Sequence, residues 1–131
     1  MRIGWLRRLF GDRGERLATK FLRNLGFTIL ATQDRSLLGE IDIVVQKGDT
    51  IVFVEVKTRK STAAGHPTEA ITLTKQKQLT RTALAWLKRR NLLEHRARFD
   101  VIAIIWGDGK EPIIQHYINA FEPTGDGQMY S

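Results

Sequence analysis

Apolar positions recur along the chain at two spacings, and the switches between them mark out its elements. Leu17, Ala18, Phe21, Leu22 and Leu25 fall at helical spacing, with Gly11 and Gly14 before them and Gly26 after, which predicts a helix from about Asp12 to Leu25. Phe27 to Ala31 is a short β-prone run, and the polar stretch Thr32 to Gly39 predicts a loop. Glu40 to Gln46 reads as a strand whose alternation puts Ile41, Ile43 and Val45 on one face and Glu40, Asp42 and Val44 on the other. Gly48 and Asp49 turn the chain into a second hairpin arm, Thr50 to Lys57. There Ile51, Phe53, Glu55 and Lys57 share one face, and Val52, Val54 and Val56 share the opposite one.

Thr58 to Pro67 is small, polar and basic, the composition of a mobile surface loop. Leu79, Ala83, Trp86 and Leu87 form the apolar stripe of a second helix, about Thr74 to Arg90, with Thr74 as its expected cap. Phe99 to Trp106 is almost wholly apolar and β-branched, as in a central strand covered on both faces. Pro112 to Ile118 is a last alternating strand, and the chain after Phe121 reads as a flexible tail. The order αβββαββ, with a crossover helix between the third and fourth strands, predicts a mixed five-stranded sheet with helices against it, an α/β fold.

A length of 131 residues fits one core, so residues 1 to 121 are expected to form a single domain and 122 to 131 its tail. The absence of cysteine excludes disulfide scaffolds, thiolate zinc sites and cysteine nucleophiles, so any metal must be held by oxygen or imidazole. His66, His95 and His116 have no paired ligand spacing, which leaves oxygen. No apolar run approaches the roughly 20 residues that cross a bilayer, and Met1 to Phe10 is interrupted by three arginines, unlike a signal peptide. A soluble cytoplasmic protein without a membrane anchor is expected. The amphipathic start could still lie on a membrane surface.

The net charge of +7 is unevenly placed. Met1 to Lys20 carries six basic and two acidic residues, and Lys75 to Arg98 eight basic and one acidic, whereas Phe21 to Val56 carries three basic and five acidic. Two basic segments flank an acidic, strand-forming centre. A plain electrostatic binder of nucleic acid would gain nothing from carboxylates facing phosphate.

Three charges stand in strands that otherwise have little use for them: Asp42 in IDIVV, and Glu55 with Lys57 in IVFVEVK. Glu55 and Lys57 project from one face, about 7 Å apart at ~3.3 Å per residue, and Asp42 comes from the neighbouring hairpin arm. Asp42, Glu55 and the backbone carbonyl of Val56 would together make an oxygen site suited to Mg²⁺ or Mn²⁺. Lys57 would then orient a water and stabilise charge on a phosphorane. From spacing alone, Glu55 and Lys57 could equally be an ion pair on an edge strand.

The segments GERLATKFL (Gly14 to Leu22), GEIDIV (Gly39 to Val44), FVEVKTR (Phe53 to Arg59), TKQKQL (Thr74 to Leu79) and FDVIAI (Phe99 to Ile104) together resemble the YraN family of predicted endonucleases, over roughly Arg13 to Phe121. The family in turn resembles the restriction-endonuclease-like PD-(D/E)xK nucleases, close in pattern to archaeal Holliday-junction resolvases. The resemblance implies a restriction-endonuclease-like three-layer fold and metal-dependent hydrolysis of DNA. It makes Asp42 the motif aspartate, Glu55-Val56-Lys57 the E-x-K element and Glu15 the helical glutamate, a further possible metal ligand. Gln76 matches a polar helix position that faces the site in such nucleases. Ile41 stands where a proline is usual, and Thr32 to Arg35 fits only loosely the family's Asn-Tyr-Arg-like run.

Residue by residue, Glu15 lies at the edge of the packed helical face, within reach of the sheet or simply favourable in a first helical turn. Glu40, two residues before Asp42, is an outer group of the same site or a charge at the start of its strand. Arg13, Arg16 and Lys20 accompany Glu15, and Arg59, Lys60, Lys75, Lys77 and Arg81 follow the E-x-K strand, all placed for phosphate contacts that position DNA without reading bases. Trp86 and Trp106 read as core. The reading is a Mg²⁺- or Mn²⁺-dependent endonuclease for branched, damaged or single-stranded DNA, able to act as a homodimer. Its rival is a non-catalytic nucleic-acid-binding or adaptor module on the same scaffold.

Overall fold

The computed structural model describes residues 2–60, 65–107, 109 and 111–123. The elements are α1 (Arg2–Asn24), β1 (Thr28–Ser36), β2 (Gly39–Lys47), β3 (Thr50–Arg59), a 3-10 turn (Pro67–Ala70), α2 (Leu73–Arg89), β4 (Arg96–Ile105) and β5 (Ile113–Phe121). The strands lie side by side in chain order as one sheet. All neighbours are antiparallel except β3 and β4, which the α2 crossover makes parallel. The mixed α/β sheet with two helices is therefore as the hydrophobic pattern implies.

Two apolar clusters cover the two faces. Ala18 and Leu22 of α1 pack on Ile43, Val45, Val52, Val54, Ile102 and Ile104, all essentially solvent-free. Leu79, Ala83, Trp86 and Leu87 of α2 pack on Ile41, Val44, Ile51, Phe53, Phe99 and Val101. Along β3 the alternation is as expected, with Ile51 and Phe53 under α2 and Val52 and Val54 under α1. Along β2 it breaks: Ile41 joins Val44 on the α2 side, while Ile43 and Val45 face α1. The break falls at Asp42, where β2 leaves β3. Their ladder ends at Ile43 opposite Val54, and the next free N–H of β3, that of Val56, donates to the Asp42 carboxylate at 2.8 Å.

Several boundaries differ from the sequence pattern, β4 for instance beginning at Arg96 instead of Phe99. The stretch 32–36, expected as loop, is the second half of β1, paired with β2 from Thr32 opposite Ile43 to Ser36 opposite Gly39. Within it Asp34 is tied down by partners distant in sequence, accepting from the Trp86 indole at 3.0 Å and from Arg90 at 3.3 Å. The α2 cap is Thr72 rather than Thr74, its hydroxyl accepting from the Lys75 N–H. Helix α1 begins ten residues earlier than its apolar stripe indicates, and β5 runs on to Phe121. Residues 61–64 of the expected loop and 124–131 of the expected tail lie outside the described residues.

One buried charge is fully used in the fold. Asp100 on β4 accepts from Arg98 at 3.0 and 3.3 Å, from the Asn119 N–H at 2.9 Å, and pairs with His116 Nε2 at 2.7 Å, where the register with β5 slips. Burial alone would raise its pKa, but the His116, Arg98 and Asn119 hydrogen bonds outweigh it and hold the carboxyl below its ordinary value. Among the described residues no helix is long and apolar enough to cross a membrane.

Candidate active site

The gap where β2 departs from β3 collects the carboxylates. Asp42 sits in it, anchored by the Val56 N–H, and Glu15 reaches it from α1. The approach of that helix depends on Gly14, at which a Cβ would fall 2.6 Å from Thr58 Cγ2 on β3. Glu40 enters from the start of β2, just after Gly39, whose φ of +146° and contact with α2 likewise suit glycine. Glu15, Glu40 and Asp42 each place a carboxylate oxygen within 4.8 Å of the others.

Crowding of like charge away from water shows in their proton affinities. Burial is the largest cause raising Asp42, with the Glu55 charge next, so that its pKa is pushed up to about 8 against the pull of the Val56 N–H. Glu15 rises to about 7, again chiefly by burial, opposed by a hydrogen bond from Gln33 and reinforced by Glu40, Asp12 and Glu55. At neutral pH this group holds protons that a hard divalent cation would displace. The oxygen-only donor set and its spacing fit Mg²⁺ or Mn²⁺.

Glu55 is buried beside Asp42 and faces the α2 side, where Lys57 Nζ lies 3.5 Å and Lys75 Nζ 4.0 Å from its Oε2. The expected convergence of Asp42, Glu55 and Lys57 is thus present. The three mutually close oxygens, however, come from Glu15, Glu40 and Asp42, with Glu55 held by lysines at their margin. Val56 contributes its N–H to Asp42 and its side chain to the α1-side cluster. Gln76 lies at the start of α2 with its amide donating to the Ile71 carbonyl at 3.0 Å, bracing the turn into the helix.

The basic residues lie on α1, at the end of β3 and on α2. Arg13, Arg16 and Lys20 share one exposed stripe of α1 and line a cavity of about 340 Å³ with Trp106. Trp106 is half-buried just beyond β4, with the Arg13 guanidinium 4.6 Å over its ring, so it belongs to the core's edge, whereas Trp86 is core throughout. Arg59 and Lys60 end β3 beside it, their carbonyls accepting from the Trp106 and Gly107 N–H groups. Lys77 and Arg81 are exposed on α2, and Lys75 is half-buried against Glu55.

The sequence pattern gave no hint of Gln33. This β1 residue has a left-handed φ of +49°, donates to Asp12 at 2.8 Å and to Glu15, and lines a cavity of about 540 Å³ between α1 and β1. Its role follows from side chains that α1 and β1 bring together across 21 positions of sequence.

Residues 14–104 match an uncharacterised protein family, UPF0102. A UPF0102 protein of Geotalea daltonii is 48% identical over 112 residues, 86% of this chain and 88% of that protein. Similar proteins from Geobacter sulfurreducens, 47% identical over 88% of this chain and 90% of theirs, and Rhodococcus opacus, 42% over 85% and 94%, bear the same family name. The matched span includes Glu15, Glu40, Asp42, Glu55 and Lys57. The chain belongs to the UPF0102 family, for which YraN is another name.

Proposed function

We propose that this protein is a divalent-metal-dependent endonuclease that hydrolyses phosphodiester bonds of branched or single-stranded DNA in the cytoplasm. The observation that carries the reading is the gathering of Glu15, Glu40 and Asp42 oxygens within 4.8 Å at the end of the β2 and β3 ladder, with Glu55 and Lys57 alongside. Asp42, Glu15 and Glu40 would hold Mg²⁺ or Mn²⁺, with Glu55 at the edge. Bound there, the ion would supply Lewis acidity and neutralise charge on the phosphoryl oxygens.

The chain's own groups have separate tasks. The Val56 N–H fixes the Asp42 carboxylate, Gln33 orients Glu15, and Glu55 keeps the Lys57 ammonium at the site. Lys57 donates hydrogen bonds to the attacking water or to a phosphoryl oxygen as negative charge builds up. Arg13, Arg16, Lys20, Lys77 and Arg81 hold the flanking phosphates. Cutting both strands of a symmetric junction would take two copies of the chain.

Purified protein should nick branched or single-stranded DNA with Mg²⁺ or Mn²⁺ and not with EDTA. Asp42→Ala and Lys57→Ala should each lower the rate by roughly 100-fold or more while DNA binding persists. Wild type that binds across a broad panel without cutting would assign the scaffold to a DNA-binding module instead.

A further inference from the structure

The turn between β1 and β2 carries two adjacent leucines at its tip. Leu37 is fully exposed and Leu38 is 44% exposed. An exposed leucine is ordinary on a loose loop, but this turn is braced from several sides. The Leu38 N–H donates to Ser36 Oγ at 3.1 Å, and that hydroxyl donates to the Gly39 carbonyl at 3.3 Å. Gln78 of α2 donates to the Leu38 carbonyl at 3.3 Å, and a Cβ at Gly39 would meet Gln78 Nε2 at 2.7 Å, so the hairpin is seated directly on α2. Arg35 bridges to Glu40 at 3.4 Å across the base of the turn.

The position of this tip is as informative as its rigidity. From Leu37 the chain reaches Asp42 in five residues, at most about 17 Å at ~3.3 Å per residue, or roughly five nucleotide steps of a DNA strand. Lys77 and Arg81, i and i+4 on α2 beside Gln78, are exposed and make no ion pair among the described residues. A rigid apolar tip, flanked by unpaired cations and leading straight into the carboxylates, complements a polymer with a charged outside and an apolar interior.

We propose that the Leu37 and Leu38 tip is a wedge that enters the base stack of DNA at a branch point or strand discontinuity. It gives the site its preference for branched over continuous duplex. Apolar side chains inserted between base steps are a general means of unstacking, and the cost of entry is least where stacking is already interrupted. The proposal rests on the reading of this protein as acting on DNA, and its test is independent of cleavage.

The test compares wild type with Leu37→Ser and the Leu37→Ser/Leu38→Ser double variant, in Ca²⁺. Each binds a four-way junction carrying 2-aminopurine at the branch point, in competition with continuous duplex. Wild type should prefer the junction and raise the 2-aminopurine fluorescence. The double variant should lose the fluorescence rise and about tenfold in junction affinity, with duplex affinity unchanged; the single variant should fall between. Both side chains lie outside the two cores, so circular dichroism and melting should match wild type. Retained preference and fluorescence in the double variant would overturn the wedge, as would wild type that does not distinguish junction from duplex. A wild-type dimer that the double variant dissociates would instead assign the leucines to an interface between copies. Wild type that unstacks the junction but never cuts in Mg²⁺ would remove the nuclease reading and leave the wedge in place.

Discussion

Asp42 and Asp100 are both aspartates in apolar strands, and their neighbours move them in opposite directions. Burial raises both; at Asp100 the hydrogen bonds from His116, Arg98 and the Asn119 N–H outweigh it and the pKa falls, whereas at Asp42 the charges of Glu55 and Glu15 add to it and the pKa rises to about 8. A raised folded pKa means that the folded state keeps a proton the unfolded chain has released. Stability from this group is thus full below about pH 4 and is lost as pH rises toward 8. Asp42→Asn keeps an acceptor for the Val56 N–H and removes the titration. The variant should therefore be more stable than wild type by about 1–2 kcal/mol at pH 8 in EDTA and equal to it near pH 4. Urea denaturation at the two pH values measures this; a variant less stable at pH 8 would mean that Asp42 is charged in the folded state at that pH. Asp42, Glu55 and Lys57 were legible in the sequence because charge in a β-branched run is conspicuous. Gln33 and the pairing of Lys75 with Glu55 were not, since each depends on side chains brought together from distant elements.

At the scale of elements, the site exists because α1 lies close on β3. Gly14 permits that approach, since its missing Cβ leaves room for Thr58 Cγ2, with Ile104 and Val56 just beyond. Gly14→Ala would favour the helix by about 1 kcal/mol through propensity alone. The 2.6 Å approach of the added Cβ to Thr58 Cγ2 should outweigh this and leave the variant about 1–2 kcal/mol less stable than wild type. Thr58→Ser removes the clashing methyl, so the Gly14→Ala/Thr58→Ser pair should regain about 1 kcal/mol over the single variant in urea melts. A single variant more stable than wild type would show that α1 is free to shift and does not pin Glu15. The helix, both hairpin arms and the parallel crossover could be read from periodicity, because buried faces repeat at 3.6 or 2 residues. The second half of β1 could not. It is an edge segment whose polar side chains find partners on both helices and on β2, so its pairing leaves no alternating pattern.

For the whole molecule, the net charge of +7 and the acidic centre make competing demands on a bound polyanion. The cations of α1 and α2 attract phosphate at long range, while Glu15, Glu40 and Asp42 repel it at contact unless their charge is neutralised. Protonation relieves part of this near neutral pH, and the relief ends as pH passes the raised values of about 7 and about 8 for Glu15 and Asp42. Wild type in EDTA should accordingly bind DNA more weakly at pH 9 than at pH 6.5. Ca²⁺ should restore binding at pH 9, and Asp42→Asn should bind there without it. The cationic stripe is a separate contribution: replacing Arg13, Arg16 and Lys20 by alanine should flatten the slope of log affinity against log salt by up to about 3 on duplex DNA. Fluorescence anisotropy across pH, Ca²⁺ and salt separates the two effects. A pH-independent affinity in EDTA would place the bound phosphates away from the carboxylates, and with them the scissile bond.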